Sequence, residues 1–329
     1  MESRLQRRVQ RYGWDLAADA YDQFWKTQLA GVRAQLLACA ALKPGERVLD
    51  VACGSGQVAF SAAEAVGPSG RVVGIDLSGQ MVDSAGRGAK ALGLANVDLA
   101  RMDAENLALP DAHFSVALCA LGLMYMPEPA RAVHEMRRVL QPGGRAVFAV
   151  WGERARCGWA PLFGIVDAEV TSDVCPMFFG LGQRGALARL CAGAGLQVIV
   201  ERRTADTLEY ANADDACDAA FAGGPVALAW SRFDANVRVR VRARYVKAIE
   251  PWRVAHGYRI PAEFVVVSAA SPQLGESPWR SGNLPAADTA LHNAVANLSG
   301  ALGDDRPETR RARQLAGSAP TTATTPHSA

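Results

Sequence analysis

Residues 46–59 constrain the fold of this chain more strongly than any other stretch. Val48, Leu49 and Val51 form a short apolar run typical of a β-strand, a turn of small residues follows, and residues 57–64 contain good helix formers without a breaker. A strand, a glycine-rich turn and a helix in this order form the nucleotide site of an α/β sheet, at the carboxyl end of its first strand. The stretch therefore predicts an α/β protein that binds a nucleotide-like ligand at this turn.

The glycines of the turn leave the class of ligand open. Gly54, Gly56 and Ala59 match the loose pattern of dinucleotide-binding proteins, and Asp76 follows about 20 residues later, where such proteins place an acid for the ribose. Asp50 does not fit that reading, because a carboxylate beneath a pyrophosphate would repel it but would suit a cationic ligand. At this point a nicotinamide-dependent oxidoreductase is one hypothesis, and a protein that binds a cationic nucleoside is another.

Composition limits the function classes. With 329 residues, 50% hydrophobic and 21% charged, the chain can bury a sizeable core in one large domain or two. A formal net charge of +2 is not the strongly basic balance that non-specific nucleic-acid binding needs. The sequence predicts neither a membrane-spanning helix, since no 18 apolar residues run together, nor a secretory signal after the N-terminal arginines.

Cysteine and histidine usage predicts a cytoplasmic protein without a metal site. The seven cysteines are an odd number, widely scattered and without a C-x-x-C pair, as is typical of free thiols in a reducing compartment. The five histidines are equally scattered, and no cluster has metal-ligand spacing. The sequence does not indicate an oligomeric state.

Predicted strands alternate with predicted helices from residue 44 onwards. This rhythm implies a doubly wound, mainly parallel sheet. The strands are expected at residues 48–51, 71–76, 96–101, 114–120, 145–151, 197–203 and 264–268. Residues 1–43 have helical spacing of apolar residues, with Gly13 and Gly31 as expected interruptions.

Three aspartates lie at or near the ends of the first three predicted strands. Asp50, Asp76 and Asp103 are spaced 26 and 27 residues apart. One such aspartate is usually a turn former or a helix cap. In a parallel sheet, however, the carboxyl ends of the strands share one edge, where ligands bind. Three carboxylates around a glycine turn therefore indicate a binding site.

Four segments of the chain match the sequence of a known family, at residues 48–56, 73–81, 103–110 and 138–145. In these segments the chain resembles the class I S-adenosylmethionine-dependent methyltransferases, and among them the ubiquinone/menaquinone-biosynthesis C-methyltransferase-like (methyltransferase type 11) group. The resemblance implies a seven-stranded Rossmann-like sheet whose last strand runs antiparallel between the fifth and the sixth. It also implies S-adenosylmethionine as the cofactor, whose ammonium and sulfonium suit a pocket rich in carboxylates.

The resemblance further implies the roles of individual residues. Asp50 and the turn from Ala52 through Gly54 to Gly56 would lie beneath the methionine part. Asp76 would bind the ribose hydroxyls and Asp103 the adenine amino group. The remaining expected cofactor contacts are Leu77, Met81, Ala104, Cys119 and Tyr21. Ser115 stands where the family usually has Asp, and His113 where a small polar residue is commoner.

Methyl transfer by in-line displacement depends mainly on holding nucleophile and methyl in near-attack geometry. A general base is needed only if the acceptor must lose a proton. Candidates near the methyl are Tyr125, Tyr21 and Cys119, with Tyr12 as a further lid residue. A packing role is equally open to Tyr125 and is favoured for the other three. No catalytic residue is identified from the sequence.

The expected acceptor is a small molecule. The Asp/Asn-Pro-Pro-Tyr/Phe motif of enzymes that methylate nucleic-acid bases or glutamine is absent after the fourth strand. The basic residues between Arg232 and Lys247 favour a helix with a solvated charged face over a nucleic-acid site. A third hypothesis is a protein that binds S-adenosylmethionine without turnover.

The predicted domain organisation has three parts. Residues 1–43 form an N-terminal helical lid, and residues 44–270 form the methyltransferase domain. Substrate-covering insertions are expected at about residues 152–195 and 211–258. Residues 271–329, rich in Ser, Pro, Ala, Thr and Gly, are expected to be a disordered tail with a possible helix near residues 286–301.

Overall fold

The computed structural model describes residues 3–170 and 178–273. Almost all of the predicted tail, with its helix near residues 286–301, lies outside the described residues.

The strands are β1 Arg47–Val51, β2 Arg71–Asp76, β3 Val97–Arg101, β4 Phe114–Ala120, β5 Leu140–Trp151, β6 Gln197–Tyr210, β7 Arg253–Val254 and β8 Gly257–Ala270. The helices are α1 Ser3–Trp25, α2 Ala30–Ala40, α3 Gln57–Val66, α4 Gly79–Ala91, α5 Pro129–Val139, α6 Pro161–Asp167, α7 Ala186–Gly193, α8 Ala213–Phe221, α9 Ala227–Arg232 and α10 Ala235–Ile249.

The strands form one mixed sheet in the order β3-β2-β1-β4-β5-β8-β6, with the short β7 beside β8. Strands β1 to β5 pair in parallel, whereas β8 is antiparallel to both β5 and β6. The predicted fold class, with its last long strand antiparallel between the fifth and sixth, is confirmed. The two-residue β7 is an eighth strand that the sequence did not predict.

Strand order reverses between β1 and β4. Right-handed crossovers that leave this point in opposite directions place α3 and α4 on one face of the sheet and α5 on the other. The crevice at such a reversal, outside the carboxyl ends of the strands, is where doubly wound sheets bind their ligands. The central strands are buried on both faces, as the fully buried Val147, Phe148 and Val266 show, so this crevice rests on a rigid floor.

The N-terminal segment forms two helices, but the interruption expected at Gly13 is wrong. Helix α1 runs continuously through Gly13, and the break between α1 and α2 falls at residues 26–29. A glycine costs a helix about 1 kcal/mol relative to alanine. Here α1 packs against α4, α8 and α9, and Leu228 of α9 lies close to Gly13, so tertiary packing offsets that cost. Among the described residues, no helix has the length and apolar character needed to cross a membrane.

Candidate active site

A cleft of about 1030 Å³, its open mouth included, lies between α1 and the carboxyl ends of strands β1 to β4. Most of the predicted site residues line it, namely Tyr21, Ala52, Gly54, Asp76, Leu77, Met81, Asp103, Ala104 and Tyr125. Asp50, Gly56 and Cys119 are absent from its wall. The structure thus brings together at the strand reversal residues that are up to 104 positions apart in the sequence, from Tyr21 to Tyr125.

The backbone is strained where β1 and β4 end side by side. Ala52 and Leu121 have φ angles of 56° and 59°, in the left-handed region that residues with a Cβ atom rarely adopt. Gly122 lies so close to Ala52 that a Cβ atom at Gly122 would overlap the alanine methyl group. All three residues line the cleft, so the strained backbone forms its floor.

The two glycines of the turn have different roles. Gly54 has φ 54°, and a Cβ atom there would meet nothing within 4 Å, so this position faces open space in the cleft. Gly56 has φ 91° and precedes α3, and a Cβ atom there would lie 2.5 Å from the Phe60 ring. Gly54 therefore leaves room for a ligand, whereas Gly56 is required for packing beneath the turn.

Asp50 is a buried carboxylate beneath this turn. It is 1% exposed, and neither carboxylate oxygen has a hydrogen-bond partner of normal geometry in the described part of the chain. Burial, with a further contribution from the charge of Asp76, raises the pKa of Asp50 to about 8, although the backbone N–H of Ala59 offsets part of this. A cation placed next to Asp50 would stabilise its charged form.

Asp76, at the end of β2, joins two loops. Its Oδ2 atom accepts a hydrogen bond from the backbone N–H of Gly54, and its Oδ1 atom accepts one from the backbone N–H of Ser78, both at 2.9 Å. Burial raises the pKa of Asp76, and these two amides counteract the increase. Each carboxylate oxygen has a further lone pair, so Asp76 can still accept hydrogen bonds from a ligand.

The third carboxylate belongs to a network that the sequence did not reveal. Asp103 accepts a hydrogen bond from the backbone N–H of Glu105 at 2.9 Å, and the Arg7 Nε atom lies 3.5 Å from its Oδ2 atom. Glu105 is 3% exposed, pairs with Arg7, and accepts a hydrogen bond from the Glu128 backbone N–H at 2.7 Å. Arg7, Asp103 and Glu105 all line the same end of the cleft.

Two aspartates of α1 contact the loops that follow β1 and β2. Asp15 Oδ1 accepts a hydrogen bond from Ser78 Oγ at 2.6 Å. Asp22 Oδ1 accepts one from Ser55 Oγ at 2.5 Å, and its Oδ2 atom accepts one from Gln57 Nε2 at 3.3 Å. Sequence analysis missed both aspartates, although their seven-residue spacing, two helical turns, places them on one side of α1.

The part of the cleft away from Asp103 is aromatic. Trp14 contacts Tyr125 edge to face at a centroid distance of 5.0 Å, and Trp151 contacts Trp159 at 4.8 Å. The apolar residues that line this part are Trp14, Tyr21, Trp25, Leu29, Tyr125, Trp151 and Trp159, beside Gly224 and Pro225. The cleft therefore has a carboxylate half and an aromatic half, and α1 contributes residues to both.

Comparisons with known proteins agree with this architecture. The family model of a methyltransferase domain matches residues 48–144. A 2-phytyl-1,4-naphtoquinone methyltransferase of Synechococcus elongatus is 45% identical over 107 residues, which cover 32% of this chain and 46% of that protein. A Bacillus halodurans structure assigned to the methyltransferases shares the fold, with a TM-score of 0.56 at 21% identity, and covers 74% of this chain and 100% of its own. The chain spans about half the length of the first curated relatives that it matches.

A longer alignment decides the family. A demethylmenaquinone methyltransferase of Bacillus cytotoxicus is 31% identical over 175 residues, which cover 48% of this chain and 73% of that protein. This chain belongs to the class I S-adenosylmethionine-dependent methyltransferases. The predicted family and its cofactor are thereby confirmed, and the nicotinamide-dependent oxidoreductase is not favoured.

The residues of this methyltransferase fit S-adenosylmethionine. Asp50 is a buried carboxylate without a hydrogen-bond partner of normal geometry in the described part of the chain, as expected where a ligand supplies positive charge. The open space above Gly54 leaves room for the ligand beside Asp76. A pyrophosphate in the same place would lie beside the Asp76 carboxylate and above the buried Asp50 carboxylate, which is electrostatically unfavourable.

The catalytic candidates of the methyltransferase differ in placement. Tyr21 and Tyr125 line the cleft, and burial raises the pKa of Tyr21 to about 12, so its phenol is neutral near pH 7. Cys119 is fully buried behind the wall, where burial raises its pKa to about 12. Tyr12 is 48% exposed and does not line the cleft, so its expected place over the ligand is wrong.

The two departures from the family pattern lie away from the cleft of the methyltransferase. Ser115 Oγ exchanges hydrogen bonds with the backbone N–H and C=O of Arg47 at 3.2 and 3.1 Å, and His113 contacts the Arg47 guanidinium. Arg47 begins β1 and Ser115 lies near the start of β4, at the amino ends of these strands. Neither departure alters the ligand-binding edge.

The basic cluster of the methyltransferase lies on α10, as predicted, except for Arg232, which ends α9. Arg242 pairs with Asp214 and Asp218, both at 2.6 Å, and Arg240 pairs with Glu169 at 2.5 Å. Because neighbouring carboxylates neutralise these arginines, the helix presents much less positive charge than its sequence suggests.

Proposed function

We propose that this methyltransferase transfers a methyl group from S-adenosylmethionine to a small aromatic acceptor. The observation that carries the proposal is a cleft in which a carboxylate half runs directly into an aromatic half. In the proposed arrangement Asp50 and the turn at Gly54 hold the methionine part, Asp76 holds the ribose and Asp103 holds adenine. The acceptor occupies the aromatic half between Trp25 and the Trp151–Trp159 pair.

S-adenosylmethionine, when bound, supplies a methyl group on a positively charged sulfur that is already activated for displacement. The protein then needs mainly to orient the acceptor and to exclude water. Trp14 and Tyr125 meet edge to face across the cleft, which suits them to screen the reacting groups from solvent. Because Tyr21 stays neutral near pH 7, we propose that it positions ligands and does not act as a base.

The acceptor class is supported by the relatives and by one unpaired group. One relative is named a 2-phytyl-1,4-naphtoquinone methyltransferase and the other a demethylmenaquinone methyltransferase, and the ring of a naphthoquinone is planar and largely apolar. The indole N–H of Trp159 is buried without a hydrogen-bond partner in the described part of the chain. Since an unpaired buried N–H is costly, an oxygen-bearing aromatic ring is a suitable occupant. We propose the reduced, dihydroxy form of such a ring, because its hydroxyl groups make a ring carbon electron-rich enough to take the methyl group. S-adenosylhomocysteine is the leaving group, and the methylated carbon then loses its proton to solvent, which restores the aromatic ring.

The remaining parts of the proposal concern organisation and location. We propose that α1 serves as the predicted lid and that α8 to α10 form the predicted substrate-covering insertion, because α1 and Gly224 line the cleft. The six cysteines of the described residues are free thiols, which supports a cytoplasmic location.

Labelled-methyl transfer tests the proposal. The full chain is incubated with methyl-labelled S-adenosylmethionine and 1,4-dihydroxynaphthalene, and naphthalene, the same ring without hydroxyls, is the control acceptor. We expect a labelled product from the diol alone. If S-adenosylhomocysteine binds but no label reaches either the diol or fractionated cell extract, the proposal fails and a non-catalytic binding protein is indicated instead.

A further inference from the structure

Helix α1 contacts each of the three loops that follow β1, β2 and β3. Asp22 accepts a hydrogen bond from Ser55, Asp15 accepts one from Ser78, and Arg7 pairs with Glu105. The three α1 residues lie seven and eight positions apart, or about 10 to 12 Å along a helix. One helix therefore lies along the whole carboxylate half of the cleft.

The loop residues that α1 holds share hydrogen bonds with the cofactor carboxylates. Asp76 accepts the backbone N–H groups of Ser78 and Gly54, and Gly54 precedes Ser55. Asp103 similarly accepts the backbone N–H of Glu105 at 2.9 Å. A ligand that fixes these two carboxylates would fix the loop residues to which α1 is attached.

The same helix builds one wall of the aromatic half. Trp14 contacts Tyr125 at a centroid distance of 5.0 Å, and Trp25 contacts Trp151 at 6.2 Å. The indole N–H of Trp25 also donates a hydrogen bond to the Ala219 carbonyl oxygen at 3.3 Å. If α1 moves away from the three loops that follow β1, β2 and β3, the aromatic half loses these side chains and with them its closed shape.

We propose that α1 couples the two halves of the cleft, so that cofactor and acceptor bind cooperatively. The proposal rests on the function proposed above and names Asp15 and Asp22 as the positioning residues that carry the coupling. A bound cofactor orders the three loops, the loops hold α1, and α1 completes the acceptor half. By linkage, an acceptor must strengthen cofactor binding by the same factor.

Calorimetry measures this coupling without turnover. The full chain is titrated with 1-naphthol as acceptor probe, first alone and then with saturating S-adenosylhomocysteine. We expect 1-naphthol to bind about 10-fold more tightly in the presence of S-adenosylhomocysteine, within the usual range of coupling between sites. The reverse titration, S-adenosylhomocysteine with and without 1-naphthol, should give the same factor.

Two variants separate coupling from stability. In Asp22→Ala, and independently in Asp15→Ala, the ratio of the two 1-naphthol affinities should fall towards 1. Asp19→Ala removes an exposed aspartate of the same helix and should keep the parent ratio. A variant that is merely less stable would weaken both affinities and leave their ratio unchanged.

Two results would overturn the proposal. One is a parent protein in which 1-naphthol binds equally with and without S-adenosylhomocysteine, or does not bind in either case. The other is an Asp22→Ala protein that keeps the parent ratio. If instead S-adenosylhomocysteine itself does not bind the parent protein, the proposed function fails, and that outcome is distinguishable from loss of coupling.

Discussion

The carboxylate of Asp76 accepts a hydrogen bond from the backbone N–H of Gly54 at 2.9 Å, so the acid at the end of β2 holds the glycine turn at the end of β1. The same side chain faces the cleft. In the proposed arrangement Asp76 has two tasks, shaping the turn beneath the methionine part and binding the ribose, and its removal should affect both.

Asp76→Ala should weaken S-adenosylhomocysteine binding by about 1–3 kcal/mol, because ribose hydroxyls lose a charged acceptor and the Gly54 N–H loses its partner. Calorimetric titration measures the change. Asp98→Ala is the matched control, because Asp98 pairs with Arg71 at 2.6 Å and both side chains are about half exposed. An exposed pair contributes little, so this variant should bind normally. Equal affinity of Asp76→Ala and the parent would rule out the assigned role.

S-adenosylmethionine binding should release a proton from Asp50. Burial raises the pKa of this carboxyl to about 8 in the free protein, and a bound cation should lower it. At a pH between the Asp50 pKa of the bound protein and that of the free protein, binding requires Asp50 to lose its proton. The affinity for S-adenosylmethionine should therefore rise with pH from 6 to about 8 and level off above the pKa of the free protein. Titrations at pH 7 in buffers of different ionisation enthalpy measure the released proton. The Asp50→Asn protein should release fewer protons, and an affinity independent of pH in the parent would contradict this linkage.

Tyr21→Phe should retain methyl transfer to within about 10-fold of the parent rate. Burial raises the pKa of the Tyr21 phenol to about 12, so it is protonated at neutral pH and is a poor general base. The rate of labelled-methyl transfer at saturating S-adenosylmethionine is the measurement. A loss of about 100-fold or more, the scale of general-base catalysis, would show that Tyr21 moves a proton after all.

Trp159→Leu should raise the KM for the aromatic acceptor about 2- to 10-fold, because the ring loses an aromatic partner. S-adenosylhomocysteine affinity should not change, since Trp159 belongs to the aromatic half of the cleft. Trp252→Leu is the matched control, a half-buried tryptophan that does not line the cleft. Equal effects of the two substitutions on KM would show that the acceptor does not bind beside Trp159.

Much of the fold follows from local sequence signals. Apolar runs such as Phe114–Ala120 identify buried strands. Serine is a favoured residue at helix N-caps, and Ser78 caps α4 by accepting the Met81 backbone N–H at 3.1 Å. The three aspartates at the strand ends could be assigned to one site because parallel strands place their carboxyl ends together. These inferences depend on spacing within one element or on one topological rule.

The contacts of α1 could not be inferred in this way. Asp22 and Ser55 are 33 positions apart, and Arg7 and Glu105 are 98 apart, so no local pattern connects them. Tyr12 and Tyr21 are both aromatic residues of α1, but only their rotation about the helix axis decides that Tyr21 faces the cleft and Tyr12 the solvent. Gly13 was misjudged because its packing against α9 is a tertiary contact.

The central claim is that three carboxylates at the strand ends make this glycine turn a site for a cationic nucleoside and not for a dinucleotide. Parallel calorimetric titrations of the full chain with S-adenosylmethionine, S-adenosylhomocysteine and NAD test it most directly. We expect both adenosyl ligands to bind and NAD to show no binding at the same concentrations. Tight binding of NAD without binding of either adenosyl ligand would contradict the claim.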